Sequence, residues 1–156
     1  MTAASASPAS DALWLKTREL LENALKKVGL DPATSVVRDD PDQVAFGVLR
    51  GSAQVLLAAT RGERRIWVRA IAPVVMLPPE AARLAFYARL LDLNAKIMRN
   101  ASFGVLGDKV VVVSERPAEG LDPEEVEQIL QHVAATADHY DDLFANEYGV
   151  PHASKA

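Results

Sequence analysis

The alternation of apolar and polar positions divides the chain into helical stretches and two groups of strands. From Asp11 to Val28 the residues Leu13, Trp14, Leu20, Leu21, Ala24, Leu25 and Val28 recur at helical spacing and predict one dry face. Ser10 or Asp11 suits the cap of this helix, and Gly29 suits its left-handed end. Three segments then switch to a period of two. Gln43 to Arg50 places Val44, Phe46 and Val48 together, and Ala53 to Thr60 does the same for Val55, Leu57 and Ala59. Arg64 to Ala72 sets Ile66, Val68 and Ala70 against Trp67, Arg69 and Ile71. The linkers Gly51-Ser52 and Gly62-Glu63 predict tight hairpins, hence antiparallel neighbours. Thr34 to Val37 reads as a further short strand, and Asp39 to Asp42 as a turn.

A long helix over Pro78 to Met98 follows. Its prolines stand at the start, and no breaker interrupts it afterwards. It carries two apolar stripes: Ala81, Leu84, Ala88, Leu91, Ala95 and Met98 form one, and Phe86, Leu90, Leu93 and Ile97 the other. A helix lying on one sheet needs a single stripe. The second predicts another partner, and a second copy of the chain is the simplest. Phe86, Leu90, Leu93 and Ile97 are the expected homodimer interface. Beyond this helix, Ser102 to Leu106 and Lys109 to Ser114 form a hairpin across Gly107-Asp108. The run Val110 to Val113 predicts a strand dry on both faces. Asp122, Pro123 and Glu125 spell a capping box with proline at the first helical position. The last helix has Val126, Ile129, Leu130, Val133, Ala137, Tyr140, Leu143 and Phe144 as its stripe, and Gly149 and Pro151 end it. Residues 1–10 read as a disordered leader, 11–149 as one domain and 150–156 as a flexible tail.

Composition narrows the function classes. The 156 residues are 49% apolar and 24% charged, as in an ordinary globular domain. A net charge of −4 disfavours nucleic acid or an anionic membrane as partner. The absence of cysteine excludes thiolate chemistry and disulfides. No segment has the apolar length of a membrane span or the layout of a secretion signal, so the expected location is the cytoplasm.

The sequence carries no recognisable catalytic set. There is no glycine-rich phosphate loop and no serine elbow. His132 and His139 are seven residues apart on the last helix, too far along its axis to chelate one metal, and the acids near them read as a solvated face. The chain is therefore expected to be no enzyme and to hold no cofactor or metal. Arg61, Arg64, Arg65 and Arg69 form a small basic group, and alternation puts Arg65, Trp67 and Arg69 on one face. Leu57, Trp67 and Arg69 are the candidate peptide-binding residues.

From Arg64 onward, over more than half of the chain, the sequence resembles the YbjN-like proteins and the type III secretion chaperones of the Tir-chaperone kind. The matching residues are Leu90, Leu91 and Asn94 in the central helix, then Phe103, Gly104, Gly107 and Asp108 in the following hairpin. In the last helix they are Leu121, Asp122, Val126, Leu130, Ala137, Asp138, Tyr140 and Leu143. The resemblance implies an α+β fold, α-β-β-β(-β)-α-β-β-α, with one largely antiparallel sheet packed by helices. It also implies a dimer that holds an extended apolar segment of a partner protein without catalysis. The alternative is a regulatory scaffold of the YbjN kind with no client peptide.

Overall fold

The computed structural model describes residues 8–153, with side chains from 11 onward. Its elements are α1 (Pro8–Lys27), α2 (Pro32–Ser35), β1 (Val36–Asp40), β2 (Gln43–Arg50), β3 (Ala53–Arg61), β4 (Ile66–Met76), α3 (Glu80–Lys96), β5 (Ser102–Leu106), β6 (Lys109–Pro117) and α4 (Pro123–Tyr148). The strands form one antiparallel sheet in the order β1-β2-β3-β4-β6-β5. This is the expected α+β architecture, an antiparallel sheet packed by helices.

The period-two patterns set the faces. Val44, Phe46, Val48, Val55, Leu57, Ala59, Ile66, Val68 and Ala70 all turn to one side and are buried there. The apolar stripes of α1 and α4 close that side: Leu21, Leu25, Val126, Leu130, Val133 and Phe144 have no more than traces of exposed surface. In α4 the Asp122 carboxylate accepts the Glu125 N–H at 2.8 Å and Glu125 accepts the Asp122 N–H at 3.1 Å, the capping box the sequence spells. Gly149 ends the helix at φ 63°.

Several boundaries differ from expectation, each for a local reason. Helix α1 begins at Pro8, because proline at a first helical turn forfeits no hydrogen bond; the rest of the expected leader lies outside the described residues. Thr34–Ser35, expected in a strand, belong to the one-turn α2. Asp31 caps that turn by accepting the Ala33 N–H, and Pro32 supplies its first position. β1 therefore starts at Val36 and runs through Asp39–Asp40, leaving only Pro41–Asp42 as the turn. β4 continues past Ala72 to Met76; its pairing with β3 stops at Ile71, so Pro73 falls where that ladder has ended. The residues expected as the start of a flexible tail are docked. The Met76 N–H donates to the Pro151 carbonyl at 3.0 Å, His152 bridges Val75, and Val150 and Ala153 are buried.

Candidate functional site

Helix α3 does not lie on the sheet beside α1 and α4. It packs against β5 and the C-terminal part of α4. The Phe86 ring meets Phe144 edge-on at 5.4 Å and Tyr148 at 4.6 Å. Arg89 pairs with Glu147 across the same contact. Which stripe faces inward is the reverse of the expectation. Phe86 and Leu90 are buried in their own subunit, Leu93 is half-buried against the core, and Ile97 stands exposed at the C-cap. The expected interface of Phe86, Leu90, Leu93 and Ile97 is thus mostly taken up internally. The physical reason is size: a stripe led by phenylalanine fills the aromatic pocket of α4, and one built on alanines does not. The outer stripe is the other one. Leu84 is 83% exposed and Leu91 is 68% exposed, and Ala81, Ala88 and Ala95 lie open beside them. Leu91, Tyr87 and Val105 also border a hollow of about 350 Å³ between α3 and β5, so the exposed helix face continues onto the strand.

The second candidate surface is the face of the sheet opposite α1 and α4. Cross-strand register defines its rows. Gly47, Leu56, Ile71 and Val113 form one; Ala45, Ala58, Arg69 and Glu115 form another; Thr60, Trp67 and Pro117 form a third. Leu49, Leu56, Ile71, Pro73, Leu106 and Val111 shape a shallow, mainly apolar hollow of about 520 Å³ on this side. Leu49 and Leu106 are both well exposed there. Trp67 and Arg69 lie on this face as expected. The Arg65 guanidinium stands 5.7 Å from the Trp67 ring, and the Arg69 Nε meets a Glu115 carboxylate oxygen at 3.0 Å. Leu57 does not join them. It pairs with Ala70 and is fully buried on the helix-covered side, because alternation sends it with Val55 and Ala59. Its neighbour Leu56 occupies the place assigned to it.

The two sheet edges are treated differently. On β5 the Asn94 side chain accepts the Phe103 N–H at 2.7 Å and donates to the Phe103 carbonyl at 3.1 Å. One amide from α3 thereby imitates a neighbouring strand at Phe103 and satisfies the backbone of that edge residue. β1 pairs only with β2, and its residues are almost all exposed. Arg18 of α1 holds this edge by two bonds to Asp39, 2.7 Å and 2.6 Å. That hydrogen bond lowers the Asp39 carboxyl below its ordinary value and raises the Arg18 guanidinium; bonding from Arg38 lowers Asp40 likewise. Asn94 was visible in the sequence, but its role needed the position of β5.

The histidines do not converge. His132 contacts the Arg99 carbonyl, His139 stacks edge-on Tyr140, and His152 meets Asp142 at 3.0 Å. Asp141, Asp142 and His152 bring ligand-type atoms within 4.8 Å of one another. Asp141 already accepts the Asp142 N–H and lies in reach of the Ser52 hydroxyl, so the cluster is bound internally. Among the described residues no helix is long and apolar enough to cross a membrane.

Solved structures share this architecture. One is that of the ExsC-ExsE complex, at 21% identity and TM-score 0.61, covering 82% of this chain and 92% of that one. Another is the HopA1-SchA chaperone-effector complex, at 12% identity and TM-score 0.58, covering 88% and 99%. A third is the heterodimeric ExoU-SpcU complex of the Pseudomonas aeruginosa type III secretion system, at 13% identity and TM-score 0.54, covering 79% and 96%. At these identities the likeness is one of fold. No curated protein matches in sequence. The sequence pattern of one described family matches residues 16–151, from the third turn of α1 to Pro151 in the docked C-terminal segment. The chain therefore belongs to the family described as T3SS (YopN, CesT) and YbjN peptide-binding chaperones.

Proposed function

We propose that this protein is a non-catalytic cytoplasmic homodimer that holds an extended apolar segment of a partner polypeptide. The observation that carries the reading is the one-sided sheet: six strands have helices on one face, and the other face presents an apolar hollow about the size of a ligand cleft. Extended peptides bind sheets through backbone pairing at an edge and through pockets for alternate side chains. Asn94 occupies the β5 edge, so β1 is the edge that receives a strand. Leu56, Trp67, Ile71 and Arg69 face the segment as it crosses the sheet. Self-association uses the outer stripe of α3, where Leu84 and Leu91 are unsheltered within the subunit. The fold of the chaperone complexes above and the family description support this reading.

Selection of twelve-residue peptides from a display library against the native protein tests it. Enriched peptides should alternate apolar and polar positions. Their binding should slow amide exchange over Val36–Asp40, and Ile71→Asp should abolish it. A native protein that enriches no extended peptide would favour the regulatory scaffold without a client.

A further inference from the structure

Away from both apolar surfaces, the loop after α3 closes a polar hollow of about 350 Å³ against β6 and the first half of α4. Arg99, Asn100, Ser114, Arg116, Glu125 and His132 line it. Arg18, Arg38, Arg61, Arg69 and Arg89 are each matched to a carboxylate. Among the described residues, Arg50, Arg64, Arg65, Arg83, Arg99 and Arg116 have no carboxylate partner, and Arg99 and Arg116 line this one hollow together. Glu125, the acid at the rim, is committed to the α4 capping box through the Asp122 N–H.

Two backbone carbonyls at the hollow, those of Arg99 and Asn100, are engaged as well. The buried Ser114 hydroxyl donates to the Asn100 carbonyl at 2.6 Å. His132 Nε2 lies 2.6 Å from the Arg99 carbonyl, and since a carbonyl only accepts, that nitrogen carries the proton. These bonds hold the turn in place at Asn100, whose φ of 52° is the one positive value at a non-glycine among the described residues. The result is a hollow in which the Arg99 and Asn100 carbonyls are occupied and the Arg99 and Arg116 guanidinium groups have no carboxylate partner. Guanidinium forks match the planar or tetrahedral oxygens of carboxylate and phosphate. We propose that this hollow binds a small molecule through a phosphate or carboxylate group, with Arg99 and Arg116 as its charged contacts and Asn100 at its wall. This inference does not depend on peptide holding.

Titration of the full chain with sodium phosphate and, separately, sodium succinate tests it, with chloride at matched ionic strength as the control. Amide and arginine Nε–H resonances are followed by NMR. Saturable shifts should centre on Arg99, Asn100, Ser114 and Arg116, and the anion that binds more tightly identifies the group. Arg99→Gln and Arg116→Gln should each weaken binding by roughly tenfold or more, the scale of one charge-assisted bond. Arg64→Gln, on the β3–β4 turn, should leave it unchanged. Unchanged unfolding midpoints would show that the variants remain folded. Shifts that rise linearly with both anions, or saturable binding that survives the Arg99→Gln/Arg116→Gln double variant, would overturn the assignment.

Discussion

Replacing Leu84 and Leu91 together with glutamate separates the two faces of α3 more sharply than any other change. Burying a leucine fully is worth about 1.5–3 kcal/mol. With Leu84 83% and Leu91 68% exposed in the single subunit, most of that remains to be gained from a partner. A two-fold interface uses each leucine twice. Four leucines at roughly 1.5 kcal/mol each give about 6 kcal/mol, or about four orders of magnitude in the dissociation constant. Glutamates at these positions would face one another and add repulsion. If the proposed dimer forms through this stripe, the wild type should sediment as a dimer and the double variant as a monomer over the same concentration range. Its thermal midpoint at matched monomer concentration should be nearly that of the isolated subunit, because neither side chain supports the core. Leu90→Glu is the contrasting control. That side chain is 5% exposed against the core, and a carboxylate placed there loses its water with no partner, costing several kcal/mol. It should unfold the chain instead of merely dissociating it. A wild-type level of association in Leu84→Glu/Leu91→Glu would remove the outer stripe from the interface.

Two further outcomes follow from the sheet edges. Asn94→Ala strips both backbone bonds from Phe103, so stability to denaturant should fall by about 1–3 kcal/mol and the Phe103 amide should exchange faster. An unchanged exchange rate would show that water or a neighbouring group replaces the side chain without loss. The Arg18–Asp39 tether has a defined acid limit: the folded carboxyl lies below its ordinary value, so its contribution is intact above about pH 4 and fades as pH falls through the lowered value. Divided by the intrinsic chemical rate, amide exchange in β1 should accelerate in that acid range, and Asp39→Asn should remove the share of that pH dependence not carried by the Arg38–Asp40 pair.

Local chemistry wrote much of this fold into the sequence. The capping box of Asp122 and Glu125, the alternation in β2 to β4 and the glycine-led hairpins each depend on a few adjacent residues, and each appears in place. The signal for α2 was also present, since Asp31-Pro32 is a cap followed by a first-turn proline, but a single turn is too short to show helical periodicity. The choice between the stripes of α3 was not local. Both have helical spacing, and the decision rests on Phe144 and Tyr148, more than fifty positions away. Leu57 illustrates a different failure. Its own alternation with Val55 and Ala59 already excluded the Trp67 face, and cross-strand register makes the exclusion explicit. The docking of residues 150–153 depends on β4 extending to Val75 and Met76, a partner that no pattern near the C-terminus reveals.

The amide that seals Phe103 has a consequence for growth. A plate with two unsatisfied borders can pass pairing from molecule to molecule without end, which is how filaments begin. With one border closed by its own helix, a polypeptide that docks on the opposite border finds no continuation on the far side. Each encounter then stops at a finite complex.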